Sequence, residues 1–219
     1  MILRLRDGRI LDNEFHGLLQ ALCGLRGRGG VFMACAQNPG VCEQLLRFLA
    51  LQELRVPPVA AGLGHVCAIR ADGELFCFGR NRDGQCDVPP DMGPVVAVAA
   101  KEKQTCAVKA NGDLVCFGDN SFGQCDVPPN LGAVVAVAAG TYHTCAVKAA
   151  GNLVCFGDNG RGQCDVPPNL GPVVAVAAGR VHTCAVKATG DLVCFGSNHH
   201  GQCDVPPDLG QLEAFTPVQ

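Results

Sequence analysis

Twelve cysteines recur on a gapless period of 39 residues, and that period leaves few architectures open. One series is Cys67, Cys106, Cys145 and Cys184, a second is Cys77, Cys116, Cys155 and Cys194, and a third is Cys86, Cys125, Cys164 and Cys203. The units run 56–94, 95–133, 134–172 and 173–211, and the third reads VVAVAAGTYHTCAVKAAGNLVCFGDNGRGQCDVPPNLGP. Each unit parses into short strands. VVAVAAG is apolar, built of small residues and closed by Gly, which reads as a strand buried on both faces. HTCAVK and LVCFG flank a Gly-containing turn and read as a β-hairpin. GQCDVPP is extended but ends on two prolines, so any pairing there belongs at an edge. Nothing in the unit has a helical period. A unit of three or four strands cannot bury its own faces, so the units must stack, and radial stacking gives a propeller.

The string HTCAVK..G.LVCFG.N..GQCDVP, at 143–167 and nearly repeated at 182–206, resembles the regulator-of-chromosome-condensation repeat. The resemblance implies an all-β fold, here a partial four-blade β-propeller, in a family whose rings close with about seven blades and bind proteins through loops at the blade ends. The short period is closer to compact bacterial propellers, such as the β-lactamase inhibitor of this fold, than to the longer blades of the founding member. Four blades leave three arrangements open: an open arc, a homodimer that completes a ring, or part of a longer array. Pro57 and Pro58 fall inside the first strand of unit one, so that strand should be an outer one or absent. QLEAFTPVQ (211–219) begins where a fifth VVAVAAG would begin and fails to match, leaving a short tail at 212–219. Residues 1–55 form a separate, α-rich N-terminal segment: a hairpin on Asp7-Gly8, then two helices, the first carrying Phe15, Leu18, Leu19, Leu22 and Leu25 on one face.

Four internal copies divide framework from variation. The Cys-Ala pair, the turn Gly, Leu-x-Cys-Phe-Gly, Asn and Gly-Gln-Cys-Asp-Val-Pro-Pro are identical in all copies and read as framework. Variation gathers at two places that recur at one height on successive blades. One holds Glu102, Lys103, Tyr142 and Arg180; the other holds Arg80, Arg82, Asp83, Asp119, Phe122, Asp158, Arg161, His199 and His200. Aromatic and arginine side chains are enriched at protein interfaces, so these loops are the candidate partner-binding residues. The bland alternative is a set of solvated loops free to drift.

The turns Ala-Asp-Gly, Ala-Asn-Gly, Ala-Ala-Gly and Ala-Thr-Gly suit a three-residue loop with Gly left-handed, because a two-residue loop would force Ala150 and Thr189 to positive φ. That register sets Lys109 opposite Asp113, Val108 opposite Leu114 and Cys106 opposite Cys116. It likewise makes candidate cross-strand pairs of Cys67 with Cys77, Cys145 with Cys155 and Cys184 with Cys194. In a reducing cytoplasm these thiols pack as small hydrophobes; oxidised, they would staple each blade and point to secretion. The first reading is favoured, since the N-terminus has no signal-peptide stretch. Zinc-knuckle spacing is absent, no histidine recurs in all four copies, and no metal or cofactor is expected.

A net charge of -3 without a basic stripe argues against a nucleic-acid partner, and no apolar run reaches membrane-span length. No phosphate loop, acid–base pair or nucleophile–base set recurs. The expectation is a non-enzymatic protein-interaction scaffold. The resemblance supplies two alternatives: a guanine-nucleotide exchange factor for a small GTPase, or the substrate-binding part of a HECT-type ubiquitin ligase system.

Overall fold

The computed structural model describes residues 58–212, so the expected N-terminal hairpin and helices and most of the C-terminal tail lie outside the described residues. Among the described residues the chain is all-β: four antiparallel sheets of three strands, each made of consecutive segments. The first blade holds β1 (Val59–Ala61), β2 (His65–Ile69) and β3 (Leu75–Gly79). The second holds β4 (Val95–Lys101), β5 (Gln104–Lys109) and β6 (Leu114–Gly118). β7 (Val134–Ala139), β8 (His143–Lys148) and β9 (Leu153–Gly157) make the third; β10 (Val173–Ala178), β11 (His182–Lys187) and β12 (Leu192–Gly196) make the fourth. Pro58 shortens β1 to three residues, although its carbonyl still accepts the Ile69 amide at 2.7 Å.

The hairpin β5–β6 turns on Ala110-Asn111-Gly112, with Gly112 at φ 90° and the Lys109 amide donating to the Asp113 carbonyl at 2.8 Å. Val108 therefore stands opposite Leu114 and Cys106 opposite Cys116, and each blade repeats this register. Two readings of the sequence need correction. GQCDVPP forms no strand, because the Asn81, Asn120, Asn159 and Asn198 side chains fold it into turns by accepting the amide five residues on at 2.8–2.9 Å. VVAVAA is buried on both faces in blade two, where Ala97 and Val98 are both covered, but not in blades three and four. It lies at one edge of its sheet, and a bulge between its first and third residues swings Val135 and Val174 outward while Val134 and Val173 stay buried.

Among the described residues the apolar core is divided rather than central. Three apolar clusters occupy the three joints between blades. The middle one gathers Cys106, Val108, Leu114 and Leu131 from blade two with Val134 and Ala146 from blade three, and Phe156 packs against it. Phe117 and Phe195 pack in the same way at the first and third joints. A buried threonine adds a polar link at each joint. Thr105, Thr144 and Thr183 donate their hydroxyls at 2.8 Å to the Gln85, Gln124 and Gln163 carbonyls of the preceding blade. The same hydroxyl meets the preceding blade's first cysteine at 3.4–3.6 Å. At the outer two joints it also accepts from His65 Nε2 and His143 Nε2, each at 2.9 Å. Each blade is thus latched to the next by one hydroxyl and one aromatic ring.

Candidate functional site

Framework residues build a rigid loop at the strand end opposite the hairpin turns. Asn81, Asn120, Asn159 and Asn198 donate Nδ2 to Asp87, Asp126, Asp165 and Asp204 at 2.6–2.7 Å. The buried Gln85, Gln124 and Gln163, and Gln202, accept the amides of Asp83, Phe122, Arg161 and His200 at 2.8–3.0 Å. The third cysteine of each unit donates its thiol to a carbonyl of the same loop at 3.3–3.4 Å. Burial first, then Asp119 and Asp126, push the Cys125 thiol up to about 12, so it stays protonated as that donor. Identical residues therefore hold the backbone, and the varied side chains project from it.

Those side chains fall into a row across the blade joints. Near the first joint, Asp83 sits between Arg80 at 3.8 Å and Lys103 at 3.3 Å, so its charge is matched internally; Arg82 is exposed beside them. Glu102 lies in a tight turn at φ 45°, where its carbonyl accepts the Leu63 amide of blade one at 3.1 Å. Glu102, Lys103, Asp119, Phe122 and Tyr142 line a groove of about 260 Å³ at the second joint. Hydrogen bonds from Ser121, opposed by burial and aided by Lys103, hold the Asp119 carboxyl below its ordinary range.

Phe122 and Tyr142 continue into a larger groove of about 630 Å³ at the third joint, with Asp158, Arg161, Arg180, His199 and His200. The Phe122 and Tyr142 rings are 5.0 Å apart, and Phe122 is half exposed. The Arg180 guanidinium lies 5.6 Å over the Tyr142 ring and donates to its hydroxyl at 3.3 Å. Arg161 Nη1 donates to His199 Nε2 at 2.8 Å. Asp158 accepts from Gly160 N at 3.1 Å and Gln163 Nε2 at 2.7 Å. His182 and Gln202 also line this groove, and neither stands out in the sequence because each belongs to a largely repeated column.

The cysteine pairs lie away from this row, inside the blades. The expectation of reduced thiols is corrected in three blades: the register sets the cysteines directly opposite, and Cys67–Cys77, Cys106–Cys116 and Cys184–Cys194 are disulfides with Cα atoms 4.1 Å apart, while Cys145 and Cys155 face each other as thiols. Among the described residues no three His, Cys, Asp or Glu side chains converge as a metal site, and no helix is long and apolar enough to cross a membrane.

The family model for the regulator of chromosome condensation (RCC1) repeat matches residues 59–85, 95–124, 134–163 and 173–202, more than half of the chain. This chain belongs to the RCC1-repeat family. Its blades superpose on those of Prp20p from Saccharomyces cerevisiae, a protein that binds Gsp1p and histones, with a TM-score of 0.56 and 21% identity over 63% of this chain and 44% of that one. Human WBSCR16 gives a TM-score of 0.59 at 22% identity, covering 70% of this chain and 51% of its own. The ectodomain of the Physcomitrella patens receptor kinase CR4 gives 0.59 at 23%, covering 68% and 45%. The RCC1-repeat chain thus spans about half the length of these propellers, and at such identities the likeness is one of fold. No curated protein sequence matches it.

Proposed function

We propose that this RCC1-repeat chain is a non-enzymatic protein-interaction scaffold whose partner seats on the varied blade-end loops. One observation carries the reading: residues that differ among otherwise identical copies make up most of the lining of two grooves joined through Phe122 and Tyr142. Exposed aromatic and arginine side chains on a hydrogen-bonded frame lose little conformational freedom when a partner arrives. The exchange-factor and ligase-associated readings find no residue here to carry them and rest on fold alone. A protein partner completes the proposal; the three disulfides favour an oxidising setting over the reducing cytoplasm first expected.

Affinity capture with the immobilised full chain tests it. The double variant Phe122→Ala/Tyr142→Ala should lose the proteins that wild type retains. Asn152→Ala, at the hairpin-turn end, should keep them. Equal retention by all three proteins would overturn the assignment.

A further inference from the structure

We propose that the groove at the third blade joint binds an acidic peptide segment, its carboxylates on Arg161 and Arg180 and an apolar side chain on the Phe122–Tyr142 pair. This rests on the scaffold reading and names the chemistry of the partner.

The argument comes from comparing equivalent positions across the blades. Asp83 in blade one corresponds to Phe122, Arg161 and His200 in the next three, and Glu102 in blade two corresponds to Thr141 and Arg180. Positions that hold carboxylates at the first joint therefore hold cations or neutral groups at the third. At the first joint Asp83 already pairs with Arg80 and Lys103. At the third, neither Arg161 nor Arg180 has a carboxylate partner among the described residues. The one acid in that groove, Asp158, is occupied by Gly160 N and Gln163 Nε2.

What holds the two guanidiniums is weak enough to yield. Arg161 donates to an imidazole nitrogen, and Arg180 rests on a phenol ring. Carboxylates replace both contacts with charge-assisted, bidentate bonds, which are about twice as strong as neutral ones. The chain as a whole carries a net charge of -3, so the cationic groove runs against its overall balance. The aromatic pair beside the cations distinguishes a peptide, which brings side chains, from a simple anion.

Fluorescence anisotropy of the full chain with a fluorescein-labelled peptide, Glu-Asp-Glu-Phe-Asp-Glu-Asp, tests the assignment at two salt concentrations. The account expects saturable binding that weakens as salt rises. Arg161→Glu and Arg180→Glu should each weaken it by about tenfold or more. Arg70→Glu, which changes net charge equally at the hairpin-turn end, should leave it within about twofold. The Lys-for-acid counterpart peptide should not bind. Melting curves that match wild type establish that the exposed arginine variants are folded. Equal weakening by Arg70→Glu would show a bulk charge effect and overturn the site. Equal competition by a single-stranded oligonucleotide of the same charge would overturn the peptide. No binding, with loop-dependent capture intact, would overturn the acidic assignment and leave the scaffold reading standing; loss of both would sink the two together.

Discussion

At the scale of single residues, the Thr144 hydroxyl has three roles: it fills space at zero exposure, donates to the Gln124 carbonyl and meets the Cys106 sulfur. Blade one carries Val66 at the equivalent position, so valine fits the shape and lacks only the oxygen. Thr144→Val should therefore lower stability by about 1–3 kcal/mol, because the Gln124 carbonyl loses a buried donor. Urea unfolding measures it, and an unchanged midpoint would refute the latch. His65 is the pH-sensitive member of the first joint, where it meets the equivalent hydroxyl of Thr105. Burial pushes its pKa down, only partly offset by the backbone of Gln104, which favours the protonated ring. The folded chain then holds His65 neutral while the unfolded chain takes up a proton near the ordinary value. Its contribution is complete above about pH 6.5 and is lost as pH falls through the depressed folded value. His65→Gln should shrink the drop in urea midpoint between pH 7.5 and 5.5; an equal drop in both proteins would remove His65 from the account.

Between strands, the informative positions are glycines that differ in their neighbours. Gly157 has φ 109°, and a Cβ there would stand 2.6 Å from the Tyr142 carbonyl and 2.8 Å from His143 Cα. Gly171 has φ 75° with nothing within 4 Å. Gly157→Ala combines backbone strain with a collision and should cost about 3 kcal/mol or more, whereas Gly171→Ala carries strain alone, about 1 kcal/mol. Thermal melts of the two variants compare them, and equal losses would contradict the packing described. A third glycine explains a pattern the sequence held unread. A Cβ on Gly140 would meet the His143 ring at 2.5 Å, so the ring needs glycine beneath it. Gly62 and His65, and Gly179 and His182, repeat that pairing, and blade two replaces both members at once with Lys101 and Gln104. Blade two then closes β4 onto β5 with Lys101 opposite Gln104.

Blade number, hairpin turn and the columns of framework residues were legible because the repeat multiplies every local signal by four. Ala150 and Thr189 were enough to choose the three-residue turn. The bulge at Val135 and the folded GQCDVPP were not legible, since both depend on partners fixed only by packing: a sheet edge in one case, the Asn–Asp bond in the other. Varied columns could be read as loops at one height. That Arg80 is internally paired and Arg161 is not depends on side-chain reach, which spacing does not encode. Thr105, Thr144 and Thr183 sat beside the cysteines in plain view and were overshadowed by them.

For the whole molecule, stability should be a sum over joints, as in other linear arrays. Phe156 packs into the middle joint, while its counterpart Phe78 in blade one is 61% exposed. Phe156→Ala should cost about 2 kcal/mol or more and Phe78→Ala less than about 0.5 kcal/mol. A comparable loss at Phe78 would mean that its face is covered in solution, as by a second copy completing a ring; light scattering on the same samples reads the mass. The central claim concerns which end of this array faces a partner. Hydrogen exchange of the captured complex against the free chain tests it most directly. The account expects protection at 119–124, 141–142, 158–163 and 197–202, with exchange unchanged at the turns 110–112, 149–151 and 188–190. Protection confined to those turns would contradict it.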